Sequence, residues 1–209
     1  MVNHWRLLPT IVVGALVLGG CAPVMVGGAA VGATSMALDR RSAGTQVDDE
    51  AIKLKAYESV RRDPELTSAA PPEYLDPTAP PPAELSHVEV TVYNGVVLLT
   101  GEVPSEAAHE RTGERIKTIE KVQRVYNELT VAPPSSTESR QKDSLISAKV
   151  RTRMLLEKDF DSDAVAVTTT GGTVYLMGLV SRNEAEKATA IARNTVNVVR
   201  VVRLFELLD

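Results

Sequence analysis

Apolar and polar residues alternate in two stretches of the chain. In VEVTVYNGVVLLTGEV, Val88, Val90 and Val92 alternate with Glu89, Thr91 and Tyr93, the period of a strand with one buried face. The pattern returns 77 residues later as VAVTTTGGTVYLMGLV, so that Val90 aligns with Val167, Gly95 with Gly172, Leu99 with Leu176 and Gly101 with Gly178. Beyond this point the shift is 76, aligning Ser105 with Ser181 and Arg124 with Arg200, which places a one-residue insertion or deletion near Pro104. The chain therefore carries an internal duplication.

Within each copy, Asn94-Gly95 or Gly171-Gly172 provides the positive backbone angles of a two-residue hairpin turn, and a second strand follows. Ser105 and Ser181 then open helices, the second with a capping box completed by Glu184. Ala108, Thr112, Ile116 and Ile119 share one face of the first helix, and Ala188, Ala192 and Thr195 take the matching places in the other. A closing strand is expected near Val122 to Val131 and near Val198 to Leu208. Another helix precedes each hairpin. The first is expected to be N-capped by Asp48, with Val47 and Ile52 as a hydrophobic staple and Ile52, Ala56 and Val60 as its apolar stripe. The second is expected from about Asp143 to Leu156.

The predicted fold is α+β, two tandem units of helix, strand, strand, helix and strand, each with a three-stranded mixed sheet covered by two helices. Two helices leave the other sheet face open. Because Val198 to Leu208 is apolar on both faces, the sister unit is expected to cover it. The first unit spans residues 46–132 and the second 140–209, joined by a linker at 133–139. An insertion at 63–86 lengthens the first unit and holds 7 of the 12 prolines, the composition of an extended surface loop.

Residues 1–20 read as a secretory leader, with Arg6 ahead of an apolar stretch too short for a membrane span. The leader ends LGGC, which resembles a bacterial lipobox and implies lipidation of Cys21 after cleavage. Residues 21–45 read as a flexible tether rich in glycine and alanine. Ala22, rather than Asp, after the cysteine implies sorting to the outer membrane.

The 209 residues carry a net charge of −4 and only 4% aromatics, which argues against a nucleic-acid partner. A single cysteine allows neither an intramolecular disulfide nor a cysteine zinc site. After the leader, His87 and His109 remain, and neither belongs to a catalytic or metal-ligand motif. Asp159, Asp161 and Asp163 begin like a calcium loop, but Ala164 replaces the turn glycine and Thr170 the bidentate glutamate. No enzyme and no cofactor are expected.

The duplicated pattern D..I...V, V.V...G.V.L.G.V, helix and valine-rich strand resembles the BON domain. With the lipobox, LDRRSAGTQVDD and TVYLMGLV, the whole resembles tandem BON-domain lipoproteins of the DolP type. The glycine usual before the last strand of such units is replaced here by Lys121 and Asn197. The resemblance implies a lipid-anchored, periplasm-facing outer-membrane protein whose second unit binds anionic phospholipids such as phosphatidylglycerol and cardiolipin, and which supports envelope integrity.

Charge agrees with that division. Residues 46–132 hold 9 Lys and Arg against 16 Asp and Glu, whereas residues 140–209 hold 11 against 9. At about 100° per residue, Lys142, Leu145, Ile146, Lys149, Arg153 and Leu156 fall in one sector of the second unit's first helix, with Val150 and Met154 to one side. Aliphatic groups interleaved with cations are the pattern of an interfacial helix; core packing for Ile146 and Leu156 beside a solvated basic face is the plainer reading. The alternative function is an envelope scaffold or chaperone-like protein that binds other envelope proteins.

Overall fold

The computed structural model describes residues 39–66 and 85–208. Cys21, the leader and most of the proline-rich insertion lie outside these residues. The elements of the first unit are α1 (Ala43–Arg61), β1 (His87–Tyr93), β2 (Val96–Val103), α2 (Glu106–Lys117) and β3 (Arg124–Val131). Those of the second are α3 (Thr137–Leu155), a 3-10 turn (Ser162–Ala164), β4 (Val165–Thr170), β5 (Thr173–Val180), α4 (Arg182–Arg193) and β6 (Arg200–Leu207).

Each sheet has its second strand in the middle, antiparallel to the first and parallel to the last. The parallel pair requires a crossover, which α2 and α4 provide. Ser105 and Ser181 cap these helices as expected, and the Ser181–Glu184 capping box is complete. Asn94, Gly95, Gly171 and Gly172 all have positive φ, as the tight hairpins require.

Both leading helices begin earlier than their apolar stripes indicate. Ser42, rather than Asp48, caps α1 by accepting from Thr45 N at 3.1 Å. Val47 is exposed and forms no staple. Asp48 lies inside the helix and pairs with Lys121 Nζ at 2.7 Å. That contact accompanies a left-handed Lys121 (φ 70°), the position where glycine is missing; its counterpart Asn197 has φ 73°. Ser136 caps α3, which therefore starts six residues before Asp143 and takes in residues read as linker. In both cases the cap precedes a polar first turn that carries no hydrophobic period, so the pattern had nothing to detect.

Each unit has its own core. Ile52, Ala56, Val90, Leu99, Ala108 and Ile116 are buried together in the first, and Val150, Met154, Val167, Leu176, Ala188 and Ala192 in the second. A third cluster joins the units across the open sheet faces: Tyr93, Val96 and Leu98 pack with Tyr175 and Met177, flanked by Tyr126, Val202 and Leu204. Thr91 hydrogen-bonds its own repeat counterpart, Thr168, at 2.8 Å, as expected where a pseudo-two-fold axis passes between two copies.

Gly101 and Gly178 mark the same close approach in both units. A Cβ on Gly178 would lie 2.2 Å from the Ala164 carbonyl oxygen, and one on Gly101 would lie 1.9 Å from that of His87. Because backbone cannot move aside without disturbing the ladder, Gly178→Ala is expected to cost about 2 kcal/mol, read from the urea midpoint of the purified chain.

Candidate functional site

A buried aspartate fixes each hairpin to the helix before it. Asp49 accepts from Asn94 N at 2.7 Å and Gly95 N at 2.8 Å, and Asp143 accepts from Gly171 N and Gly172 N, both at 2.9 Å. These are the Asp positions of the repeat pattern, and Asp143, expected at the start of its helix, lies inside it. Since each carboxylate holds the same two amides, Asp49 and Asp143 are structurally equivalent, which aligns α1 with α3 residue by residue.

The alignment shows how differently the two helices are decorated. Where α3 and its end carry Lys142, Leu145, Lys149, Arg153 and Leu156, the first unit carries Asp48, Ala51, Lys55, Ser59 and Arg62. Leu145 is 60% exposed and Leu156 78% exposed, so two large aliphatic groups face outward between cations. The first unit has no aliphatic side chain larger than Ala51 in these places, and its Asp48 is paired with Lys121.

Ile146 does not belong to this surface. It is 4% exposed and packs in the second core with Val150 and Met154. The direction that α3 turns inward is centred nearer Val150, and Ile146, at the edge of the predicted sector, falls on the buried side. Lys142, Leu145, Lys149, Arg153 and Leu156 are all exposed. Lys142 forms a surface pair with Glu138 at 2.8 Å, a contact that solvent and salt weaken.

The structure adds two residues to the surface. Arg153 donates to the Asn194 carbonyl and to Thr195 Oγ1, tying α3 to the loop between α4 and β6. That loop runs on to the hairpin, where Val199 N donates to the Gly172 carbonyl at 2.9 Å, close to the Asp143 end of α3. Along it, Val196 is 71% and Val199 80% exposed. Their repeat counterparts are Glu120 and Gln123. Sequence reading placed Val199 in the apolar run of the closing strand; comparing the two copies position by position is the signal that finds both valines.

At the C-terminal end of α3 the exposed Leu155 borders a cavity of about 550 Å³ whose other walls include Asp39 and Gln46. The N-terminal segment thus meets the body beside the same helix end. Among the described residues, no group of three His, Cys, Asp or Glu side chains could hold a metal, and no helix is long and apolar enough to cross a membrane. His87 Nδ1 lies 3.0 Å from Arg140 Nη1, a contact between the units.

Comparison with known proteins places this geometry in context. The BON domain family model matches residues 79–133 and 142–209. The outer membrane lipoprotein DolP of Haemophilus influenzae is 33% identical over 192 residues, covering 92% of this chain and 91% of that protein. A 21 kDa hemolysin of Actinobacillus pleuropneumoniae is 29% identical over 167 residues, covering 80% and 78%. Among solved structures, the type III secretion structural protein CdsD of Chlamydia trachomatis covers 77% of this chain at 13% identity, with a TM-score of 0.27, a likeness too distant to inform the site.

Proposed function

This chain belongs to the BON-domain family, and on that premise we propose that it is a non-enzymatic outer-membrane lipoprotein, anchored through Cys21 and facing the periplasm, whose second unit binds anionic phospholipid and thereby supports envelope integrity. One observation carries the lipid reading. Leu145, Leu156, Val196 and Val199 stand exposed around Lys142, Lys149 and Arg153 on the second unit, while the equivalent surface of the first is polar and partly acidic.

The chemistry suits a bilayer interface. Aliphatic side chains enter the headgroup zone while Lys and Arg, extended on their methylene stems, meet phosphates above it. Each cation near an anionic surface contributes about 1 kcal/mol, so the three together contribute about 3 kcal/mol. That is weak for a free protein, but acyl chains on Cys21 would hold the surface at the membrane and turn weak contact into occupancy. Asp39, where the described residues begin, lies beside the C-terminal end of α3. Phosphatidylglycerol and cardiolipin supply the required charge.

The test is sedimentation of the chain without its leader 1–20 and carrying Cys21→Ser, with vesicles of phosphatidylcholine alone or with phosphatidylglycerol. Binding to the anionic vesicles at 0.05 M salt and its loss near 0.5 M are expected, because screening shortens the reach of exposed charges to a few ångströms. Equal binding to both vesicle types, or none to either, contradicts the proposal.

A further inference from the structure

We infer that the consecutive arginines Arg40 and Arg41, which lie outside the residues matched by the family model, are a latch that holds the two units in one orientation and fixes where the N-terminal segment leaves them.

The two side chains reach to opposite units. Arg40 donates to both carboxylate oxygens of Glu184, at 2.8 and 2.6 Å, and to the Leu179 carbonyl at 3.2 Å, and it lies 3.4 Å from Asp161. All three partners belong to the second unit. Arg41 donates to Asp49 at 2.8 Å and stacks over the Tyr93 ring at 4.1 Å, both in the first unit. Asp39 accepts from the Arg41 guanidinium at 2.6 Å and orients it. Forked guanidinium–carboxylate contacts fix direction as well as distance.

Elsewhere between the units the directional contacts include Thr91 with Thr168, Arg140 with His87 and Asn94 Nδ2 donating to Glu206 at 2.8 Å, each a single hydrogen bond where Arg40 makes a forked pair. The cluster between the sheets is built from Tyr93, Val96, Leu98, Tyr175 and Met177, and apolar contact of this kind is largely non-directional. Arg40 and Arg41 precede the first helix and have no counterpart in an equivalent place before the second, so they break the pseudo-symmetry in favour of one arrangement. Glu184 and Asp49 are also already fixed, one in the capping box of α4 and the other, on α1, by the amides of the β1–β2 turn, so the latch closes on rigid parts of each unit.

The Arg40 guanidinium holds the Glu184 carboxyl at about 2, well below the ordinary glutamate value. A depressed carboxyl contributes stability that is fully present above the ordinary value near 4.5 and fades as pH falls toward 2, so the latch stays closed at neutral pH.

The experiment measures the distance between spin labels at Glu110→Cys on α2 and Glu186→Cys on α4, in the chain carrying Cys21→Ser, which has no other native thiol. The parent is expected to give one narrow distribution. Arg40→Ala and, independently, Glu184→Gln, which keeps an amide for the helix cap, are each expected to broaden it at least twofold, whereas Arg62→Ala, in an exposed pair with Glu58, leaves it narrow. If Arg40→Ala fails to fold, Glu184→Gln decides alone. Distributions as narrow as the parent's in both latch variants, or equal broadening in Arg62→Ala, would overturn the inference.

Discussion

Leu145→Asp combined with Lys149→Glu lowers affinity for phosphatidylglycerol vesicles by at least a hundredfold while leaving the fold intact. Reversing one charge at an anionic surface exchanges about 1 kcal/mol of attraction for a similar repulsion. Withdrawing a leucine from the headgroup zone adds up to about 2 kcal/mol, and setting a carboxylate against that zone adds its own penalty. Together these exceed the 2.7 kcal/mol or so that corresponds to a hundredfold change. Both residues are exposed and neither supports the core, so circular dichroism and the unfolding midpoint stay close to those of the parent. The matching changes in the first unit, Ala51→Asp and Lys55→Glu, have little effect, because Ala51, Arg62, Glu120 and Gln123 stand where the second unit has Leu145, Leu156, Val196 and Val199. Co-sedimentation across a lipid series measures both pairs.

Asp143→Ala is expected to cause the largest loss of stability. The carboxylate is 9% exposed and accepts from two consecutive turn amides, and removing it leaves both donors without their partner beneath α3. Hydrogen bonds to a charged acceptor are each worth roughly 1.5 to 3 kcal/mol, so the pair points to about 3 kcal/mol after relaxation. At this chain length that lowers the thermal midpoint by about 10 °C. Asp143→Asn keeps an acceptor for one amide and should lose about half as much. Calorimetry of the three proteins orders them as parent, Asn and Ala; a midpoint for Asp143→Ala within a degree or two of the parent would show that the turn does not depend on this contact.

The repeat made most of the fold legible. Strand alternation, the Asn94-Gly95 and Gly171-Gly172 turns and the capping serines at 105 and 181 are local signals with local causes, and the structure places each where its chemistry requires. The starts of α1 and α3 were hidden because Ser42 and Ser136 cap polar turns, and apolar periodicity marks only the part of a helix that packs. The candidate surface is partly visible in the sequence: helical angles gather Lys142, Leu145, Ile146, Lys149, Arg153 and Leu156, and the plainer reading, core packing, holds for Ile146 and fails for Leu156, which is exposed. Val196 and Val199 depend on a loop running back along α3, and Arg40 and Arg41 on two carboxylates more than a hundred positions apart, contacts that no local spacing encodes.

On the proposed function, the second unit meets the membrane through one face while the first does not. Paramagnetic broadening of backbone amide signals by a spin label on the lipid headgroup, with the chain carrying Cys21→Ser bound to phosphatidylglycerol bicelles, tests it most directly. Broadening is expected to be confined to α3 residues near Leu145, Lys149 and Leu156 and to the loop at Val196 and Val199. Equal broadening along Asp48 to Arg62, or broadening centred on any other face of the second unit, would contradict it.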